Sequence, residues 1–203
     1  ALLYGSRMRY AQDQKRVFGV PTPYVFDVSV YNIFSSLTVH CGICHLIQDG
    51  ASLATMRGDE LLTRVAAVPS ILSIARLPAA VECVEVGGEA LTQGTVENCA
   101  KHINICNYYG PTEVSVWATR REVPRGTSGP ITSIGRPLPN VICYIADVRS
   151  DVHDLKLQPT GVFGELLLGG VYVTRGYLNR PEKTAEVFVP QLWPASCLLY
   201  TSD

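Results

Sequence analysis

From Arg16 to Gly110 the chain alternates short β-branched runs with stretches of helical spacing, and this alternation restricts the fold more than any other feature. "RVFGVPTPYVF" reads as extended and proline-marked, "DVSVYNIFSSLTVHC" carries apolar residues at helical spacing (Val30, Ile33, Phe34, Leu37), and "GICHLI" reads as a short strand. "GDELLTRVAAVPSILSIARL" holds a helical start, a Val-Ala-Ala-Val strand and, after Pro69, a helix for which Ser70 is a plausible cap. "VECVEVGGEAL" is a strand entering a Gly-Gly turn, "TQGTVENCAKH" a short helix and "INICNYYG" the next strand. Strands separated by helices imply a parallel sheet with helical cover. From about Gly129 the texture changes to short β runs broken by glycine and proline, in "SIGRPLPNVICYIAD", "GVFGELLLGGVYV" and "GYLNRP". The fold class predicted is therefore α/β: a parallel sheet with covering helices over residues 1–128, then a smaller, mostly antiparallel β subdomain over 129–190, and a short tail over 191–203.

At 203 residues and 47% hydrophobic, the chain can bury the core of one domain or most of two small ones. A formal net charge of −1, with both signs dispersed, argues against nucleic acid and against a membrane surface as partners. The longest apolar runs are broken by glycine or charge, so none spans a bilayer. "ALLYGSRMRYAQDQ" lacks the pattern of a secretory signal, and a first residue other than Met marks an expected fragment. Seven cysteines, an odd number set mostly in apolar runs, favour reduced buried thiols and a cytoplasmic location over a disulfide framework. "HCGICH" gathers His40, Cys41, Cys44 and His45, a tempting zinc spacing. A closed site takes its second ligand pair from another segment, which the sequence does not offer, so buried thiols at a strand or helix end are the preferred reading.

"NYYGPTE", residues 107–113, is poor helix material. Gly110-Pro111 punctuates it, so it is predicted to be a turn leaving the "HINICNYY" strand, while "TEVSVWATRREV" resumes extended or helical structure. A hydroxyl, a carboxylate and aromatic faces thus stand at a strand exit, where open α/β sheets bind ligands.

Four blocks, "FDVSVYNIF" at 26–34, "VGGEAL" at 86–91, "NYYGPTE" at 107–113 and "GELLLGGVYVTRGYLNRPEKTAEVF" at 164–188, together resemble the adenylation domains of nonribosomal peptide synthetases, within the adenylate-forming enzymes. The resemblance reaches to about Pro190. It implies activation of an amino acid as its acyl-adenylate with ATP and Mg²⁺, then transfer to a phosphopantetheine thiol on a peptidyl carrier protein domain, with a condensation domain as neighbour. Adenylation joins a carboxylate to a phosphate, so the site must bring two anions together around a divalent ion. By the resemblance, Glu113 holds Mg²⁺ and Thr112 meets a phosphate oxygen; the bland alternative is that Thr-Glu caps the next element. Tyr109 resembles the aromatic residue near adenine and ribose, and by the same resemblance Asn107 and Gly110 join it in binding the nucleotide. Gly87, Gly88 and Glu89 resemble the turn along which the base lies, although any tight strand-to-helix turn uses such glycines.

Asp27 matches the residue that binds the substrate's α-ammonium, its alternative role being a helix N-cap. A carboxylate in an apolar run is costly unless paired. Fatty-acyl and aryl-acid relatives hold no amino group, so Asp27 favours an α-amino acid. The matching pocket positions are Val28, Tyr31, Ala66, Glu85, Gly87, Tyr108, Val116 and Trp117, with Glu85, if it points inward, favouring a basic or hydroxylated side chain. Gly164, Glu165, Gly170, Arg175, Gly176 and Tyr177 are read as scaffold.

The family's Ser/Thr/Gly-rich phosphate loop does not precede Asp27, and its C-terminal subdomain with the catalytic lysine is absent, so this stretch alone is not expected to turn over. The final "LLYTSD" matches the family's ribose-binding motif in part, which would make Asp203 the ribose ligand. Ser202 in place of glycine and the short gap after "FVP" favour a translated sequencing scar instead. A stand-alone carboxylate–CoA ligase and a non-catalytic binding remnant are the alternative functions.

Overall fold

The computed structural model describes residues 16–38, 42–55, 61–147, 155–189 and 198–201. The chain packs as two units, Ala1–Gly110 with Thr119–Arg136, and Pro111–Ala118 with Pro137–Asp203.

In the first unit β1 (Arg16–Val20), β2 (Gly42–Leu46), β3 (Arg64–Ala66), β4 (Cys83–Val86) and β5 (Asn104–Tyr109) are parallel, and β6 (Thr119–Val123) returns antiparallel to β5. With the two-residue β7 (Arg136–Pro137) the sheet order is β2-β1-β3-β4-β5-β6-β7. The helix α1 (Val28–Thr38) and the short helices α2 (Gly50–Ala54), α3 (Pro69–Leu72) and α4 (Gln93–Cys99) connect the strands. Strand periodicity divides the sheet into two faces. Val65, Val84, Val86, Ile105 and Val123 form one core with Leu53, Leu72, Val96 and Cys99. The intervening residues Arg64, Cys83, Glu85, Cys106, Tyr108 and Arg120 line a cavity on the other face.

α1 forms where helical spacing predicts it, yet the apolar residues that gave the signal face outward. Val30, Phe34 and Leu37 are exposed, whereas Ser29, Tyr31, Asn32, Ser35 and Ser36 are buried. Small residues let the helix approach β1 and β2 closely, and the buried hydroxyls are satisfied locally. Ser35 Oγ donates to the Asn32 carbonyl at 3.2 Å, Ser36 Oγ to that of Ile33 at 2.7 Å, and Ser29 Oγ to that of Tyr24 at 3.1 Å.

The predicted Val-Ala-Ala-Val strand lies one residue earlier, at Arg64–Ala66. Ser70 is not a cap. Val68 occupies that position with no side-chain bond, and Pro69 opens the helix. The helical start expected before Arg64 falls mostly on residues 56–60, outside the described residues, while Leu61 to Thr63 are not helical.

In the second unit β8 (Val141–Ala146) and β9 (Glu165–Gly170) pair antiparallel, and β10 (Phe188–Val189) and β11 (Leu198–Thr201) complete a sheet of order β10-β11-β9-β8. Ala146, Leu155, Leu167 and Val189 form its core. The "GYLNRP" run expected as β is not a strand. Gly176 (φ +123) and Asn179 (φ 55) turn the backbone left-handed, and Pro181 opens α5 (Pro181–Val187). Among the described residues no helix is long and apolar enough to cross a membrane.

A Cβ at Gly176 would lie 2.5 Å from Thr184 Cγ2 and 2.9 Å from its Oγ1, the atom that accepts the Tyr177 N–H at 2.9 Å. Gly176→Ala therefore combines a forbidden φ with a displaced hydrogen bond, and should cost about 2 kcal/mol in denaturant unfolding. A neutral result would show that the turn adapts.

Candidate functional site

Parallel strands end together, so their exit turns gather residues distant in sequence. After β4, Gly87 is buried and Gly88 adopts φ +81, a conformation that explains glycine there. Glu89, though exposed, is engaged: its carboxylate accepts from the Ser70 N–H and Oγ, both at 3.0 Å. Glu89 thus caps α3 from the opposite turn and fixes the Gly87-Gly88 segment to that helix.

Asp27 stands half-buried immediately before α1, and its backbone carbonyl accepts the Val30 N–H at 3.0 Å. Spacing of four residues puts Asp27 and Tyr31 on the same side of α1, with Val28 half-buried beside them. Tyr31 is buried and meets Tyr108 of β5, hydroxyl to hydroxyl at 3.3 Å and ring centroids at 5.8 Å. Asn107 is buried, while Tyr109 and Gly110 are half-buried at the strand exit.

Glu85 points to the same sheet face as Tyr108, with Ala66 opposite it on β3. Its carboxylate, 7% exposed, lies 3.1 Å from Arg64 Nη1. A basic substrate side chain would have to compete with Arg64 for that charge. Sequence reasoning missed Arg64, because the pairing joins residues 21 apart across two strands.

In the second unit a single 3₁₀ turn spans Thr112–Val114, with Thr112 exposed and Glu113 half-buried. The turn is fastened to the segment after β9. Thr174 N–H donates to the Glu113 carbonyl at 2.8 Å, and Ser115 Oγ to the Tyr172 carbonyl at 2.7 Å. The Tyr177 hydroxyl donates to Glu113 Oε1, and this bond to a carboxylate pushes the phenol up to about 12. Tyr177, read from sequence as scaffold, therefore orients the Glu113 carboxylate. Val116 is half-buried at φ 81, a strained conformation for a β-branched residue that is worth roughly 1–3 kcal/mol, and Trp117 is buried.

Cys44 is half-buried and His45 exposed on β2, and His40, Cys41 and Asp203 lie outside the described residues. No three His, Cys, Asp or Glu side chains gather into a metal cluster among the described residues. Five described cysteines are free thiols: Cys83, Cys99 and Cys106 buried, Cys44 and Cys143 half-buried.

Removing Arg64 alone should leave Glu85 without its cation in a nearly dry position. Arg64→Met is expected to destabilise the first unit by about 3 kcal/mol in urea unfolding, and Arg64→Met with Glu85→Gln to recover most of that loss. Equal losses for the single and double variants would mean that the pair is not coupled.

Known proteins resemble this chain in sequence and fold. The family of AMP-binding enzymes matches residues 2–178. The phosphinothricin tripeptide synthetase PhsB of Streptomyces viridochromogenes is 36% identical over 195 residues, covering 89% of this chain and 16% of that protein. The malpinin synthetase of Mortierella alpina is 36% identical over 172 residues, 81% of this chain and 2% of that protein. The chain thus spans a small part of the curated relatives it matches. A crystal structure of a four-domain nonribosomal peptide synthetase bound to AMP and glycine superposes with a TM-score of 0.79 at 27% identity, covering 98% of this chain and 15% of that one. The Vibrio cholerae adenylation domain AlmE, in complex with glycyl-adenosine-5'-phosphate, shares the fold at a TM-score of 0.80 and 23% identity, over 98% of this chain and 40% of that one. A sheet whose strand exits carry the Gly87-Gly88 turn and the Tyr108-Tyr109 pair, matched by one family over residues 2–178, makes the chain a member of the AMP-binding enzymes.

Proposed function

We propose that the protein containing this chain joins an amino acid to AMP, consuming ATP and releasing pyrophosphate, and passes the activated acyl group to a phosphopantetheine thiol on a peptidyl carrier protein domain beside a condensation domain. The observation behind this reading is the placement of Asp27. A half-buried carboxylate begins the helix whose Tyr31 meets Tyr108 at the exit of a parallel strand. That gives an anion for an α-ammonium beside aromatic walls for a side chain. The similarity to a synthetase solved with AMP and glycine supports the same substrate class.

In this reading the nucleotide base lies along Gly87-Gly88-Glu89, next to Asn107, Tyr109 and Gly110, and Thr112 meets a phosphate oxygen. Val28, Ala66 and Glu85, all in the first unit, shape the side-chain pocket. The donor set suits a hard divalent cation: Glu113 is a half-buried carboxylate that accepts the Tyr177 hydroxyl at one oxygen, which leaves its second oxygen to be offered to Mg²⁺. When bound there, the ion would neutralise phosphate charge.

Glu113→Gln in the intact protein should lower ATP–pyrophosphate exchange on the order of a hundredfold while shifting the amino-acid KM little, because a neutral amide holds Mg²⁺ poorly where charge develops. Unchanged exchange would remove Glu113 from the metal role.

Asp27→Ala should weaken amino-acid binding by roughly 2–5 kcal/mol and spare the matching deamino acid, which brings no charge needing a partner. If Asp27 only caps α1, the change costs about 1 kcal/mol of stability and weakens both substrates alike. Equal losses on the two acids would sink the ammonium role.

A further inference from the structure

Two thiols meet on the sheet face that carries Glu85 and Tyr108. In the parallel register Cys83 lies opposite Asn104 and Glu85 opposite Cys106, so the cysteines are diagonal neighbours on β4 and β5. Their sulfurs are 3.6 Å apart, and Arg120 Nη2 of β6 lies 3.3 Å from Cys106 Sγ. Both cysteines line a cavity of about 360 Å³. Cys106 is 6% exposed, so only a reagent small enough to enter that cavity reaches it.

The two thiols are not equivalent. A hydrogen bond from Cys83 and the charge of Arg120 hold Cys106 well below the ordinary thiol range, while the same bond and burial push Cys83 far up. Cys99 and Cys143, with burial alone acting on them, are pushed up to about 11. The charged groups around the sulfurs are Arg64 from β3, Glu85 from β4, and Arg120 and Glu122 from β6; Tyr108 contributes its ring, which Arg120 overlies at 5.9 Å. Arg64 pairs with Glu85 and Arg120 with Glu122, so a thiolate gives the cavity an excess of negative charge.

We propose that Cys106 is a reactive thiol that accepts small neutral or cationic disulfides entering this cavity. The Cys106 thiolate attacks one sulfur of the reagent, a new S–S bond forms as the reagent's own S–S bond breaks, and the departing thiolate takes a proton from water. The cysteine is oxidised to a mixed disulfide, and the leaving half is reduced to a thiol. Arg120 is a positioning residue that keeps the sulfur ionised. The exchange uses no step of amino-acid activation, but its cavity shares Glu85 and Tyr108 with the proposed pocket.

The test is to incubate the intact folded protein containing this chain with cystamine, hydroxyethyl disulfide or oxidised glutathione at pH 7, quench with acid and map adducts on these cysteines by mass spectrometry. The expected result is an adduct on Cys106 about tenfold or more faster than on Cys83, Cys99 or Cys143, with cystamine ahead of the anionic glutathione disulfide. Cys106→Ser should abolish that adduct alone, and Arg120→Met, with its fold checked by circular dichroism, should move the pH midpoint of Cys106 modification upward. The proposal is overturned if Cys106 stays unmodified in the intact folded wild-type protein while Cys99 or Cys143 reacts. It is equally overturned if its pH midpoint is that of an ordinary thiol.

Discussion

The parallel pairing of β4 with β5 is the constraint from which the rest follows. Val84 opposite Ile105 and Val86 opposite Asn107 set the register, and Val84, Val86 and Ile105 are almost wholly buried. A slip of β4 by one residue would turn Val84 and Val86 to the polar face and bring Cys83 and Glu85 into the apolar core. With the register held, β4 ends at Val86 opposite Asn107 while β5 runs on to Tyr109, so the Gly87-Gly88 turn leaves β4 beside the Tyr108-Tyr109 pair. Glu89 on Ser70 and Tyr31 on Tyr108 then tie these exits to α3 and α1. The buried ion pair Arg64–Glu85 lies on the opposite face from the valines, where an unpaired carboxylate would be costly.

The Asn107–Glu113 stretch is divided between the units, since Gly110 ends the first and Pro111 begins the second. Glu113 is accordingly held by its own unit, through Thr174 N–H at its backbone and Tyr177 at its side chain. Gly176, required by its φ of +123, places Tyr177 within reach of Thr184. A segment placed among the scaffold thus carries the residue that orients a proposed metal ligand.

The elements legible in the sequence are those whose signal is local. The alternation of strand and helix, the short helix in "TQGTVENCAKH", found at Gln93–Cys99, and the turn after β5 all depend on neighbouring residues. What stays hidden depends on distant partners. Glu89 caps a helix 19 residues away, Arg64 neutralises a carboxylate 21 away, and Tyr177 binds one 64 away. Helical spacing found α1 but not its orientation, because a run of serines packs against β1 and β2 as closely as an apolar stripe would. "GYLNRP" misled because its aromatic and apolar residues suit a strand while Gly176 and Asn179 take left-handed angles.

If the exits of β4 and β5 receive an acyl-adenylate, ligand binding must shield their backbone from solvent. Hydrogen–deuterium exchange of the intact protein, with and without a non-hydrolysable aminoacyl-sulfamoyl adenosine, measures that shielding directly. Slowed exchange is expected at residues 87–89 and 108–110, with the valine core of the sheet little changed. Saturating binding that leaves both exits unprotected would contradict the proposed site.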